Sequence, residues 1–243
     1  MLHPRNIDGF AYFAFPHLER SPHFIHAVTP RQPSCGVAES EALNLRLLER
    51  LGVPRDRLLR LHQVHGTETL GPEADLLPAE SGERPQADGW ILTRPGRFGV
   101  IRTADCVPVI ALLPERKAVG LFHSGWRGTC GRIVERGLGR LLEATGADAG
   151  ELMVAIGPAI RRCCYEVGEE VFQAFAAAGH QTDGLRAGSH LDLVEAVRRQ
   201  ARAAGAGTIL DSGMCTVCRN DLFYSYRKEK TPLRTWTVAG WVE

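Results

Sequence analysis

The chain has 243 residues, 44% of them hydrophobic and 23% charged, with 29 Lys and Arg against 28 Asp and Glu for a net charge of +1. That balance advertises neither a nucleic-acid backbone nor an anionic membrane as a partner. Its apolar runs are strand-sized, well short of the ~20 residues of a membrane span. The first residues carry no apolar core of a secretory signal, and seven scattered cysteines suit free thiols or metal ligands in a reducing cytoplasm. A chain of this length is expected to form one domain over residues 1–243.

In chain order, Pro, Gly and Ser mark a loop at 29–36, and helical periodicity follows over 39–51. A strand is predicted over 57–61 and a long loop over 74–86. Four short strands come next, at 88–93, 98–103, 107–113 and 117–123, whose continuous apolar runs suit strands covered on both faces. Helices are predicted over 133–144, 169–178 and 191–204; in the last, Leu191, Val194, Val197 and Ala201 form one stripe. Strands are expected at 152–156, near 208–210, and through the aromatic tail 223–242. This pattern predicts an α+β fold, a mixed sheet or sheets with packed helices.

Four polar constellations interrupt the apolar pattern: His62-Gln63-Val64-His65-Gly66, Thr103-Ala104-Asp105-Cys106, His123-Ser124-Gly125-Trp126-Arg127-Gly128, and Cys215-Thr216-Val217-Cys218. The third lies where a strand runs into a helix, so its glycines could expose backbone N–H groups to a ligand, and Arg127 could hold a phosphate or carboxylate. A buried cysteine is commonly a small hydrophobe, yet one thiolate and two imidazoles also make a catalytic zinc set with a fourth position open. Spacings of 41 and 17 residues do not by themselves show that His65, Cys106 and His123 meet. Nine histidines without one His-x-His pair argue against a trinuclear copper centre. Cys215 and Cys218 read as two free thiols, because the only partners for half a zinc ribbon, Cys163 and Cys164, are adjacent in sequence. Asp105, next to Cys106 along a strand, is expected on the opposite face in a supporting role.

Taken together, the segments resemble one family. Gln63-Val64-His65-Gly66, Ala87-Asp88 with Thr93, Thr103-Ala104-Asp105-Cys106-Val107-Pro108 and His123 to Gly128 occur in order. Gly157-Pro158, Cys164-Tyr165-Glu166-Val167-Gly168, Cys215-Thr216 and Phe223-Tyr224-Ser225-Tyr226-Arg227 continue it. The set is similar to the YfiH-like proteins, also called the multicopper polyphenol oxidoreductase or laccase-domain family and described as purine nucleoside phosphorylases. The resemblance implies an α/β sandwich like that of the cytotoxic-factor toxins. It also implies a zinc site, able to take copper, built from His65, Cys106 and His123 as catalytic metal ligands. Phosphorolysis of adenosine, inosine or methylthioadenosine, with adenosine deamination, is the activity it implies, so purine nucleoside and phosphate are the expected partners of a monomer or homodimer. Copper-dependent polyphenol oxidation, Cys–His hydrolysis and peptidoglycan-precursor editing are the alternative activities, and a scaffold with structural zinc is the non-catalytic one. The family's usual arginine-containing N-terminal stretch is reduced here to Thr29-Pro30-Arg31-Gln32-Pro33. Arg31 stands in for its arginine and, with Arg127, is the expected phosphate ligand. Cys218 departs from the family pattern.

Overall fold

Alternation decides which residues of this chain face which layer. The computed structural model describes residues 1–32, 35–72 and 84–243. Along the chain run β1 (His3–Ile7), β2 (Phe10–Ala14), β3 (Phe24–Val28), α1 (Val37–Arg50), β4 (Leu58–Arg60), β5 (Thr69–Leu70) and β6 (Gly89–Leu92). Then come β7 (Arg97–Thr103), β8 (Val107–Leu113), β9 (Ala118–Ser124), α2 (Trp126–Cys130), α3 (Ile133–Thr145), β10 (Met153–Ile156) and α4 (Glu169–Ala177). The remainder is β11 (Arg186–Ala187), β12 (His190–Leu191), α5 (Leu193–Ala203), β13 (Thr208–Asp211), α6 (Tyr226–Glu229) and β14 (Thr235–Trp241). Two mixed six-stranded sheets result, in the orders β1-β2-β3-β14-β7-β4 and β13-β10-β8-β9-β6-β5, beside the small β11-β12 pair.

Successive side chains of a strand point to opposite faces. In β8, Val107, Val109, Ala111 and Leu113 join α3, α4 and α5 in one core, while Ile110 and Leu112 enter a second core between the sheets. β14 divides in the same way: Ala239 and Trp241 face the other sheet, and Trp236 and Val238 pack with Leu48 of α1. The architecture is therefore four layers: α1, the first sheet, the second sheet, and α3, α4 and α5. The mixed α+β expectation holds. Every position of β8 and β9 is buried, as strands covered on both sides require.

Three expectations change. The hairpin β1–β2 was not anticipated, because β1 is a largely exposed edge strand with no apolar alternation; its cue was Asp8-Gly9, both at positive φ in the two-residue turn. Residues 223–242 are not one strand. Phe223 and Tyr224 are single buried anchors, Ser225 caps α6 by accepting from the Lys228 N–H, and pairing starts only at Thr235. Adjacency did not keep Cys163 and Cys164 from Cys215 and Cys218: all four ligand atoms lie within 4.8 Å of one another. The loop expected at 74–86 falls mainly outside the described residues, as do 33–34 of the loop at 29–36.

Candidate active site and metal centre

Sheet pairing explains why residues 41 and 17 positions apart meet. β8 and β9 are antiparallel, with Pro108 opposite His123 and Val107 opposite Ser124. The residue before β8, Cys106, therefore lies beside the end of β9. β4 runs parallel to β7, with Leu58 opposite Phe98 and Arg60 opposite Val100, so the chain leaving each reaches the same end of the sheet. His65 lies beyond β4 and Cys106 just beyond β7. The donor atoms of His65, Cys106 and His123 all lie within 4.8 Å of one another. The two imidazole rings meet edge to face at 4.8 Å between centroids.

The glycines around this set permit close approach. A Cβ on Gly125 would stand 3.0 Å from Cys106 Sγ and 3.1 Å from His65 Cδ2, and one on Gly128 would stand 2.8 Å from the Gly66 carbonyl. Asp88, fully buried, organises the histidines. Its Oδ1 accepts from the His65 N–H at 3.0 Å and lies 2.7 Å from His123 Nδ1; its Oδ2 accepts from the Gly66 N–H at 2.6 Å and the Val64 N–H at 3.3 Å. With Nδ1–H donated to a carboxylate, His123 keeps Nε2 for a ligand or metal, the usual support of a metal-binding histidine. Gln63 pins the same loop to β7: its amide donates to the Arg102 carbonyl and accepts from the Arg102 N–H, both at 2.9 Å. His65 itself is held at φ 60°.

Electrostatics inside the set are strongly coupled. Burial alone would raise the Cys106 thiol, but the His123 charge and hydrogen bonds from both histidines bring it down to about 6. Burial would likewise discharge His123, yet the Cys106 thiolate and the Asp88 carboxylate push it up to about 9. Asp88 is held below the ordinary carboxylate range: burial opposes this, and the bonds from His123 and the backbone overcome it. The two shifts describe a thiolate–imidazolium pair, in which the proton on His123 Nε2 is the one a metal would displace. Two imidazoles and a thiolate fit a catalytic zinc site, which takes three protein ligands and leaves one position open.

The three donors open into a cavity of 720 Å³, within the range of small-molecule sites. Four cations line it, Arg102, Arg227, Lys230 and Arg234, together with Tyr165 and Tyr226. The Arg227 guanidinium stands 5.4 Å from the Tyr165 ring, and burial beside Cys106 raises the Tyr165 phenol so that it stays protonated. Asp105 borders this cavity along with Cys106. The expectation that it turns away does not hold, because residues 104–106 form a bend rather than a strand. At φ 93°, Asp105 accepts from Thr216 Oγ1 and from the Arg227 N–H, each at 2.6 Å. Its supporting role is to fasten the wall of the cavity.

Neither expected phosphate ligand is among the residues lining the cavity. Arg127 is exposed on α2, its guanidinium 4.3 Å from the Trp126 ring. Arg31 pairs with Glu229 at 2.6 Å and stands 5.4 Å from the Tyr224 ring. Arg102, Arg227, Lys230 and Arg234 were passed over. The one sequence cue was Arg227, which closes the Phe223 to Arg227 segment.

Residues 38–241 match the family described as multi-copper polyphenol oxidoreductase laccase, and the chain belongs to that family. It is 37% identical over 207 residues to a purine nucleoside phosphorylase of Deinococcus radiodurans, covering 84% of this chain and 77% of that one. It is 31% identical over 196 residues to a protein named adenosine deaminase RL5 from an unknown prokaryotic organism, covering 76% of this chain and 74% of that one. The crystal structure of YlmD from Geobacillus stearothermophilus superposes with a TM-score of 0.81 at 27% identity, covering 96% of each chain.

Proposed function

We propose that this protein is a zinc-dependent purine nucleoside enzyme. It cleaves adenosine, inosine or methylthioadenosine with phosphate, giving the free base and ribose 1-phosphate or its methylthio analogue, and it also deaminates adenosine. The observation that carries this reading is that one cavity holds both the two-imidazole, one-thiolate set and four cationic side chains. The names of the Deinococcus radiodurans relative and of RL5 support the same substrate class.

His65, Cys106 and His123 are the ligands for zinc, and copper, which the family description names, competes for the same donors. Bound by these three residues, zinc would supply a Lewis acid able to polarise a substrate oxygen or activate water. The remaining work falls to the chain. Arg102, Arg227, Lys230 and Arg234 bind and orient phosphate by charge-assisted hydrogen bonds. Tyr165, kept protonated, has an O–H to donate. Asp88 sets the His123 tautomer.

Zinc-quantified protein incubated with adenosine, with and without phosphate, tests both activities. Adenine and ribose 1-phosphate appearing only with phosphate establish phosphorolysis, and inosine formed without phosphate establishes deamination. Adenosine recovered unchanged from zinc-loaded protein removes the purine assignment.

A further inference from the structure

A second group of donors lies outside the residues that line the cavity. Cys163 and Cys164 sit between β10 and α4; Cys215 and Cys218 sit between β13 and α6. All four are free thiols, with Sγ of Cys218 3.7 Å from that of Cys163 and 3.5 Å from that of Cys164. A disulfide needs about 2.0 Å. Four sulfurs held tetrahedrally at the zinc–sulfur distance of about 2.3 Å stand roughly 3.8 Å apart. The backbone N–H groups of Arg161, Val217 and Cys218 all donate to Cys215, the kind of hydrogen bonding that stabilises a metal-bound thiolate.

We infer that Cys163, Cys164, Cys215 and Cys218 form a second metal site, a closed tetrathiolate centre for zinc, separate from the His65–Cys106–His123 set. Four neighbouring thiols cannot all ionise without a cation among them. Four protein ligands leave no open position, so the centre is structural. What it holds is clear from the neighbouring bonds. Ala159 bridges to Cys215 and accepts from the Thr216 N–H at 3.1 Å, while Thr216 Oγ1 holds Asp105. Ile160 and Tyr165, which flank the two cysteines of the first loop, line the catalytic cavity. The centre ties the loop that carries Ile160 and Tyr165 to the loop that leads into Tyr226 and Arg227.

The test is zinc stoichiometry on reduced, zinc-loaded and desalted protein, for the wild type, His65→Ala and the pair Cys163→Ser and Cys218→Ser. Two equivalents are expected in the wild type. One should remain in His65→Ala and be released by a mercurial thiol reagent, and one should remain in the cysteine variants. Cobalt substitution reads the site directly: strong sulfur-to-cobalt charge transfer persists in His65→Ala and falls in the cysteine variants. If the cysteine variants do not fold, wild type and His65→Ala suffice. A wild type holding one equivalent that His65→Ala loses, a second equivalent indifferent to both cysteine substitutions, or a disulfide among these four residues in freshly alkylated protein overturns the assignment. None of these readouts depends on the substrate.

Discussion

At Asp88 one buried carboxylate answers three backbone N–H groups and one imidazole, tying the loop that carries His65 to the strand that carries His123. An asparagine has a single acceptor oxygen for those four donors, and its NH₂ would face an N–H. Asp88→Asn should therefore weaken zinc binding by about 10–100-fold, the usual cost of losing the partner of a metal-binding histidine. It should also cost about 2 kcal/mol of stability through the donors left unpaired. A chelator-competition titration beside urea unfolding measures both. Unchanged zinc affinity would show that His123 needs no orienting carboxylate. Nothing in the residue pattern announced this role, since a lone Asp before a strand commonly reads as a turn residue. The residue types of His65, Cys106 and His123 suggested a ligand set, but their meeting depends on two strand pairings that spacing does not encode.

At the scale of elements, α3 lies on β9 across Phe122, and a glycine makes the approach feasible. A Cβ on Gly137 would stand within contact-breaking distance of the Phe122 ring, whereas one on Gly139, exposed on the same helix, meets nothing within 4 Å. The two glycines should respond with opposite signs. Gly137→Ala overpacks the core and should cost about 1–3 kcal/mol. Gly139→Ala should stabilise by about 0.5–1 kcal/mol, because alanine favours a helix and narrows the unfolded ensemble. Thermal unfolding of both variants checks the pair; a Tm for Gly137→Ala at or above the parent value would mean that the helix can lift without loss. Elements with a continuous signal were the legible ones: β8, buried at all seven positions, coincides with its predicted span. The tail was not, because α6 rests on the Ser225 cap and on the Glu229 pairing with Arg31, nearly two hundred residues earlier.

For the whole molecule, the near-balance of charge at pH 7 gives way on acidification, as histidines gain charge and carboxylates lose theirs. Beside that general repulsion, one buried group adds a titration of its own. His26, 4% exposed, accepts the Phe15 N–H at 2.8 Å through Nε2, and burial pushes its pKa down to about 4. Folding thus requires the neutral ring. Its contribution is complete above the unfolded value of about 6.5 and is lost as pH falls towards 4, amounting to about 3 kcal/mol across that window. Urea midpoints measured through this range should fall in the parent and flatten in His26→Gln, which retains an acceptor without the titration. Equal slopes in the two proteins would assign the acid loss elsewhere.

The order of the first sheet also bears on how the molecule is made. β14, residues 235–241, is its fourth strand, paired on one side with β3 and on the other with β7. During synthesis β3 and β7 emerge early and wait, each with an unpaired edge of the kind that invites association with other chains. No nascent chain can close this sheet before residue 241 has left the ribosome. The halves β1-β2-β3 and β7-β4 are joined only through β14, so truncation within that strand leaves two open half-sheets rather than a shortened protein.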